Sequence, residues 1–433
     1  MMLRWCSFNR SSLAFFGQVG RMAGEIMMTA IAVRVRRTLL AGVTGMFALG
    51  LTGAGAQTTI DIGLMGPFSG PWAEHGQLMR IGAEMAIEDI NKQGGIKSLG
   101  GAKLNLVVAD TGPSIETTTN AAQRLLSQRG LSAFMCCFLS SFSLAASEIG
   151  ERQQVPMLTF SYSDELVRRG YKYIFRDSSG ADIQVRAAIK LLQGQAAANG
   201  RKIESAALIG DNTGATVAYF KSLNEVLPQN SVKIVLNRVW TPPLTDAIPV
   251  ALALRDANPD IIFLGATTFD DSVAIVRGLN ATRVKKLMLG NGAQYITPEY
   301  LQAMGAAQVD GLMTTQGTAI TKDPYAADFL KRFRERTKTP WTVHDTTSVY
   351  SESWIIKEAL EKAASTDPKK VRDAISSLHI TTPPPTAFNG SEIKFDVNGQ
   401  NTLAPPFIVQ WQHGLPILVT PAEVAVAPLK WPS

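Results

Sequence analysis

The sequence predicts an α/β fold of two doubly wound parallel-sheet lobes. Continuous apolar runs such as Ala206-Ala207-Leu208-Ile209 and Ile261 to Leu264 recur along the chain, and helical stretches separate them. Strands that are apolar on both faces and alternate with helices belong to parallel sheets covered on both sides. The series also breaks near Arg176 to Gly180 and then resumes, which suits two sheets better than one. Length agrees, because 433 residues at roughly 100–200 per domain suggest two domains or one large one.

Each element has its own signal. Ile60 to Met65 reads as a strand that ends in the turn Gly66-Pro67-Phe68-Ser69-Gly70-Pro71. A helix is expected from about Gly76, with Leu78, Ile81, Met85 and Ile90 near helical period and Gly94-Gly95 as its stop. Leu104 to Ala109, Ala133 to Phe138 and Met157 to Phe160 follow as strands, with helices over Thr117 to Gln128 and Leu144 to Arg152. After the break come strands at Ala206 to Ile209, Val232 to Leu236, Ile261 to Leu264 and Leu287 to Leu289. Helices are expected over Tyr325 to Thr337, Thr346 to Ala364 and from Pro368 to Leu378. Thr382-Pro383-Pro384-Pro385-Thr386 cannot be helix interior and reads as a linker. Ile393 to Asp396 and Phe407 to Trp411 then look like antiparallel strands.

The basic balance belongs to the leader. Residues 1–56 hold six arginines and one acid, Glu25, so the chain beyond them carries a net +1 of the total +6. Arg34, Arg36 and Arg37 precede an apolar run from Thr38 to Leu51 and the small residues Ala54-Gly55-Ala56. A positive region, a short apolar region and a small-x-small site make a secretory signal peptide. The apolar run is shorter than the roughly 20 residues that a membrane span needs. A signal peptide over 1–56 is therefore expected, with Met27 or Met28 as a possible true start and the periplasm as destination. Without a basic run in the remainder, no nucleic-acid partner is expected. Of three cysteines, Cys136 and Cys137 follow the leader and read as two small core hydrophobes. The four histidines have no metal-ligand spacing, so no metal or cofactor is expected.

In open α/β sheets, ligands bind beyond the carboxyl ends of the strands. There the sequence places His75, Ser140, Ser141, Ser161, Tyr162, Ser163, Thr213, Thr267 and the stretch Asn291 to Gln294, groups suited to hydrogen-bonding a small polar solute. Ser140-Ser141 precede the helix expected from Leu144. Backbone N–H groups at such a helix start favour a carboxylate, although capping is the commoner role for serine there.

Ile62 to Pro71, Gly82 to Asn91 and Gly94-Gly95-Ile96 resemble the start of the type I periplasmic binding proteins, most closely the leucine/isoleucine/valine-type receptors of ABC importers. The likeness continues through Val108-Ala109-Asp110, Val155-Pro156-Met157, Glu165 to Tyr171 and Asn258 to Phe263. It implies two lobes joined by a three-segment hinge, lobe one being 58–178 plus 317–390 and lobe two 179–316 plus 391–433. It also implies that Ser140, with Ser141 adjacent, meets a ligand carboxylate and that Ser161 and Ser163 assist. His75 would shield the ligand, and the family's two tyrosines fall near Thr213 and Thr267. The acid that neutralises an amino-acid ammonium aligns with Gly292. Asp211, Asp270 or Asp271 could replace it, so the expected solute is branched-chain-amino-acid-like or an aromatic or aliphatic acid.

The expected function is thus a periplasmic solute receptor that delivers its ligand to a membrane ABC permease, as a monomer and without covalent chemistry. A sensing receptor of the same fold is the alternative. An exported α/β enzyme is a weaker one, because no G-x-S-x-G elbow, phosphate loop or H-E-x-x-H occurs.

Overall fold

The computed structural model describes residues 59–128 and 130–431. The expected leader and the candidate starts Met27 and Met28 lie outside these residues. The first sheet contains β1 (Thr59–Gly66), β2 (Lys103–Asp110), β3 (Phe134–Met135), β4 (Met157–Thr159) and β5 (Ile174–Arg176). All pair in parallel, in the order β2-β1-β3-β4-β5. Helices α1 (Ala73–Lys92), α2 (Ile115–Gln128) and α3 (Ser140–Gln153) connect the first four strands.

The chain then leaves this sheet through α4 (Ala181–Ala198) and builds a second one. Its parallel strands are β6 (Ser205–Asp211), β7 (Lys233–Trp240), β8 (Ile261–Gly265), β9 (Leu287–Asn291) and β10 (Met313–Gln316). Between them run α5 (Gly214–Gln229), α6 (Ile248–Ala257), α7 (Phe269–Ala281), α8 (Pro298–Met304) and α9 (Ala306–Val309). A return segment carries α10 (Pro324–Thr337), α11 (His344–Ala363), α12 (Pro368–Ser376), β11 (His379–Ile380), α13 (Pro385–Asn389) and β12 (Ile393–Lys394). The chain closes with β13 (Phe407–Gln412) and β14 (Leu415–Thr420), antiparallel at the edge of the second sheet in the order β14-β13-β10-β9-β8-β6-β7.

Strand alternation explains why both sheets are covered on two faces. On the first sheet Leu64, Met135, Leu158 and Phe175 point into one core with α1, α10 and α11, while Phe134, Met157 and Ile174 point into the other with α2 and α3. On the second, Ile209, Ile262 and Leu264 serve one face and Leu208, Ile261 and Phe263 the opposite one. Successive side chains of a strand face opposite ways, so an unbroken apolar run is what a strand between two helical layers needs.

Three segments pass between the sheets, after β5, after β10 and between β12 and β13. The first and third are laced together. Arg176 N donates to Gly399 O at 2.7 Å, Asn401 N to Arg176 O at 2.8 Å, and Gln400 Nε2 to Ser178 O at 2.9 Å. The buried Arg176 guanidinium also reaches Gln400 Oε1, Asp164 Oδ1 and the carbonyls of Tyr162 and Ser163.

Four local expectations change. Helix α3 starts at Ser140 instead of Leu144, with Leu139 in the capping position and no side-chain cap. Helix α1 starts at Ala73, which puts His75 inside its first turn and buries it. The proline run is not only a linker, since Pro385 opens α13, where a missing N–H costs nothing. Cys136 and Cys137 are buried as expected, but they are joined as a disulfide instead of standing as two free thiols.

Candidate functional site

The carboxyl ends of β3, β4, β8 and β9 converge with the start of α5 on a cleft between the sheets. Its wall contains Phe138, Ser140, Phe160, Ser161 and Tyr162 from one side and Ala215, Thr267, Asn291, Gly292 and Gln294 from the other, with His344 at the base. The space among these side chains, with the part open to solvent, is about 350 Å³. An apolar cavity of about 850 Å³ lies on the other side of His344, between α10 and β14. The smaller space is assigned as the site because it sits at the strand ends and gathers convergent polar groups.

Among the described residues, no Asp, Glu, Lys or Arg lines the cleft. Its polarity comes from the neutral polar side chains of that wall and from two helix starts. Ser140 and Ser141 open α3, and Gly214 opens α5 directly across, so close that a Cβ on Gly214 would sit 3.0 Å from Ser141 N. The first N–H groups of a helix have no intrahelical acceptor and carry the positive end of its dipole. Two such ends face one space.

The serines divide their work. Ser140 Oγ accepts from Ser163 N at 3.2 Å, which leaves its own proton free to donate. Ser161 is committed elsewhere. Its hydroxyl donates to Cys137 O at 2.8 Å and meets Ser143 Oγ at 2.7 Å, so it braces the loop after β3. Ser163 borders a separate groove with Leu144, Asp164 and Lys221.

On the second sheet, Thr213 and Thr267 both turn to Asp211. Thr213 Oγ1 donates to Oδ1 at 2.7 Å and Thr267 Oγ1 to Oδ2 at 2.6 Å. Their amides add two more bonds, so Asp211 is fully engaged and absent from the cleft wall. Asp271 receives Trp240 Nε1 and Leu244 N, while Asp270 is exposed. Gly292 stands at φ 113°, and a Cβ there would meet Gln294 Oε1 at 2.5 Å. A side chain at 292 would therefore be strained and would push Gln294 aside.

Behind the cleft lies a buried network. Gly317 N can only donate, and it donates to His344 Nδ1 at 3.0 Å, so Tyr162 Oη donates to the same nitrogen at 2.7 Å. The His344 proton is consequently on Nε2, 3.6 Å from Asp345 Oδ1. Burial holds His344 down to about 4, the Asp345 charge opposing and His75 assisting. Asp345 Oδ2 takes His75 Nδ1 at 3.0 Å, and the His75 ring stacks on Phe138 with centroids 3.9 Å apart. In the first turn of α1, Glu74 meets Glu299 in the first turn of α8. Burial, then the bond to Glu299 and its charge, raise Glu74 to about 7.

Of the residues singled out by sequence, Ser140, Ser161, Tyr162 and Thr267 lie in the wall. Ser141 flanks it opposite Gly214, whereas His75, Ser163 and Thr213 stand one layer behind or beside it. Asn291 and Gln294 join it from the stretch past β9 where the sequence expects ligand groups, while Phe138, Phe160 and His344 join it without having been singled out. His344, 182 residues from Tyr162, had no signal in the sequence.

Among the described residues no helix is long and apolar enough to cross a membrane. The profile of the family described as periplasmic binding protein matches residues 59–414. The Leu/Ile/Val-binding protein homolog 7 of Brucella suis is 28% identical over 393 residues, covering 88% of this chain and 96% of the relative. Among solved structures, the Streptococcus pneumoniae branched-chain amino acid transporter substrate-binding protein LivJ, in complex with isoleucine, matches with a TM-score of 0.72 at 18% identity. That match covers 83% of this chain and 98% of LivJ. An R. palustris ABC-transporter solute-binding protein in complex with benzoate matches with the same TM-score at 15% identity, over 85% of this chain and 98% of the neighbour. The family profile spans well over half of the chain, and the chain belongs to the periplasmic binding protein family.

Proposed function

We propose that this protein is the solute-binding component of an ABC importer, exported to the periplasm, and that it carries a small monocarboxylate to a membrane permease. The observation that supports this reading is the make-up of the cleft. Two helix starts and the Ser140 hydroxyl offer donors to an anion, while no carboxylate stands in the wall to receive an ammonium. Burying an ammonium without a partner acid costs several kcal/mol. Each candidate replacement acid is engaged elsewhere or exposed. Phe138 and Phe160 supply apolar walls for an aliphatic or aromatic body.

Ligand capture proceeds by closure of the two lobes about the three crossings, the hinge repertoire of such folds. The first lobe begins at residue 59, runs to 178 and continues from 317 to about 401, because Ile393 and Phe395 pack in the core of the first sheet. The second comprises 179–316 and the remainder. A thermal-shift screen of carboxylic acids against their α-amino counterparts tests the reading. The acids should raise the melting temperature more, and a hit list confined to amino acids would reverse the assignment.

A further inference from the structure

The apolar cavity behind His344 shares only that residue with the solute cleft. About 240 Å³ of it can hold the centre of a water molecule, whereas one buried water needs only about 10–15 Å³. Ile296, Leu330, Trp341, Val343, Val409 and Leu418 give it apolar walls. The Trp341 ring is fixed there, because Nε1 donates to Ile296 O at 2.7 Å and the ring meets Trp411 edge-on. Leu415 and Val426 also border the space, and they are 50% and 54% exposed. Water gains little from such walls, so an apolar occupant is favoured over solvent.

Among the described residues that line the cavity, Arg334 is the one charged side chain, since His344 is neutral. Three arginines stand on α10, and two of them are paired. Asp89 and Asp328 hold Arg332, and Glu84 and Glu88 hold Arg336. Arg334 is exposed and meets no acid among the described residues; its hydrogen bond runs from Nε to the Pro340 carbonyl. Its two terminal nitrogens are the edge with which a guanidinium grips a carboxylate. The wall holds a second unused polar group, the Thr342 hydroxyl, which is buried and has no partner. Buried hydroxyls rarely go unbonded. An apolar interior with one unpaired, exposed cation in its wall matches an aliphatic chain with one anionic head.

We propose that this cavity is a second ligand site, distinct from the solute cleft, for a medium-chain aliphatic carboxylate. The chain lies among Ile296, Trp341 and Val409, and the carboxylate pairs with Arg334. Thr318 of the second crossing and His344 at the head of α11 belong to the same wall, so the occupant sits beside the hinge.

The test uses the whole processed chain, with octanoate and 1-octanol as probes. Calorimetric titration should show octanoate binding about threefold or more tightly than 1-octanol, the scale of an exposed ion pair. Octanoate should also change the tryptophan fluorescence, and Trp341→Phe should remove most of that change. Arg334→Glu replaces attraction with repulsion, so it should weaken octanoate about tenfold and leave 1-octanol within twofold. Because Arg334 is exposed, the variant should melt as wild type does. The proposal fails if octanoate does not bind, or if 1-octanol binds wild type as tightly. It fails equally if Arg334→Glu keeps its octanoate affinity, which would place the octanoate elsewhere, the solute cleft included. The comparison of the two probes on wild type decides the matter even if a variant does not fold.

Discussion

The Tyr162 hydroxyl donates to His344 Nδ1 across 2.7 Å, and the Gly317 amide shares the same acceptor. Tyr162 lies in the cleft wall after β4, Gly317 in the second crossing and His344 at the head of α11. One neutral imidazole therefore joins the ligand loop to the hinge. Tyr162→Phe should cost about 1 kcal/mol, since Gly317 still satisfies Nδ1. His344→Ala should cost clearly more, because it leaves a buried hydroxyl and a buried amide unpaired. Urea denaturation of the two variants checks the order, and equal losses would contradict the shared-acceptor arrangement.

Acid dependence follows from two groups with opposite signs. Glu74 holds its proton up to about 7 against an ordinary 4.5, so the folded protein loses stability as pH rises across that window. His344 stays neutral down to about 4 against an ordinary 6.5, so stability is lost as pH falls from 6.5 towards 4. Between about 4.5 and 6.5 the two slopes oppose each other. Glu74→Gln removes the first and should leave a stability that climbs steadily over that range. Denaturation midpoints at several pH values measure it, and a wild-type-like profile in the variant would refute the role given to Glu74 and Glu299.

Gly214 stands against Ser141 across the cleft, where a Cβ would lie 3.0 Å from the Ser141 nitrogen. Gly214→Val should weaken solute binding at least about tenfold, equivalent to 1.4 kcal/mol, while the ligand-free protein melts as before. Calorimetry with small-angle scattering distinguishes the cause, because the variant should also fail to compact on adding ligand. Normal compaction with normal affinity would contradict the close approach.

The serines should separate. Ser140→Ala removes a free donor and should lower affinity by about tenfold or more, a charge-assisted bond being worth roughly 1.5–3 kcal/mol. Ser163→Ala should change affinity less than about twofold, since Ser163 contributes its amide to Ser140 and that amide survives the substitution. A large effect at Ser163 would move the anchor.

Much of this was legible along the chain. Apolar runs such as Ile261 to Leu264 gave their strands because burial on both faces leaves no polar alternation to confuse them. Ser140-Ser141-Phe142-Ser143 misled because serines before a helix usually cap it. Here they are its first turn, and the Ser140 oxygen is used by Ser163 from another loop. His75 reads as a ligand shield past a strand end, and its burial shows only where Asp345, 270 positions away, and Phe138 close over it. What the sequence lacked in each case was a contact between distant segments.

The central claim is that the cleft holds a carboxylate and has no partner for an ammonium. Leucine and 4-methylpentanoate share a carbon skeleton and differ by the α-amino group alone. Calorimetric titration of both into the processed protein should show 4-methylpentanoate binding at least about tenfold more tightly, the scale of one unpaired buried charge or more. Leucine binding as tightly as 4-methylpentanoate, or more so, would contradict the account.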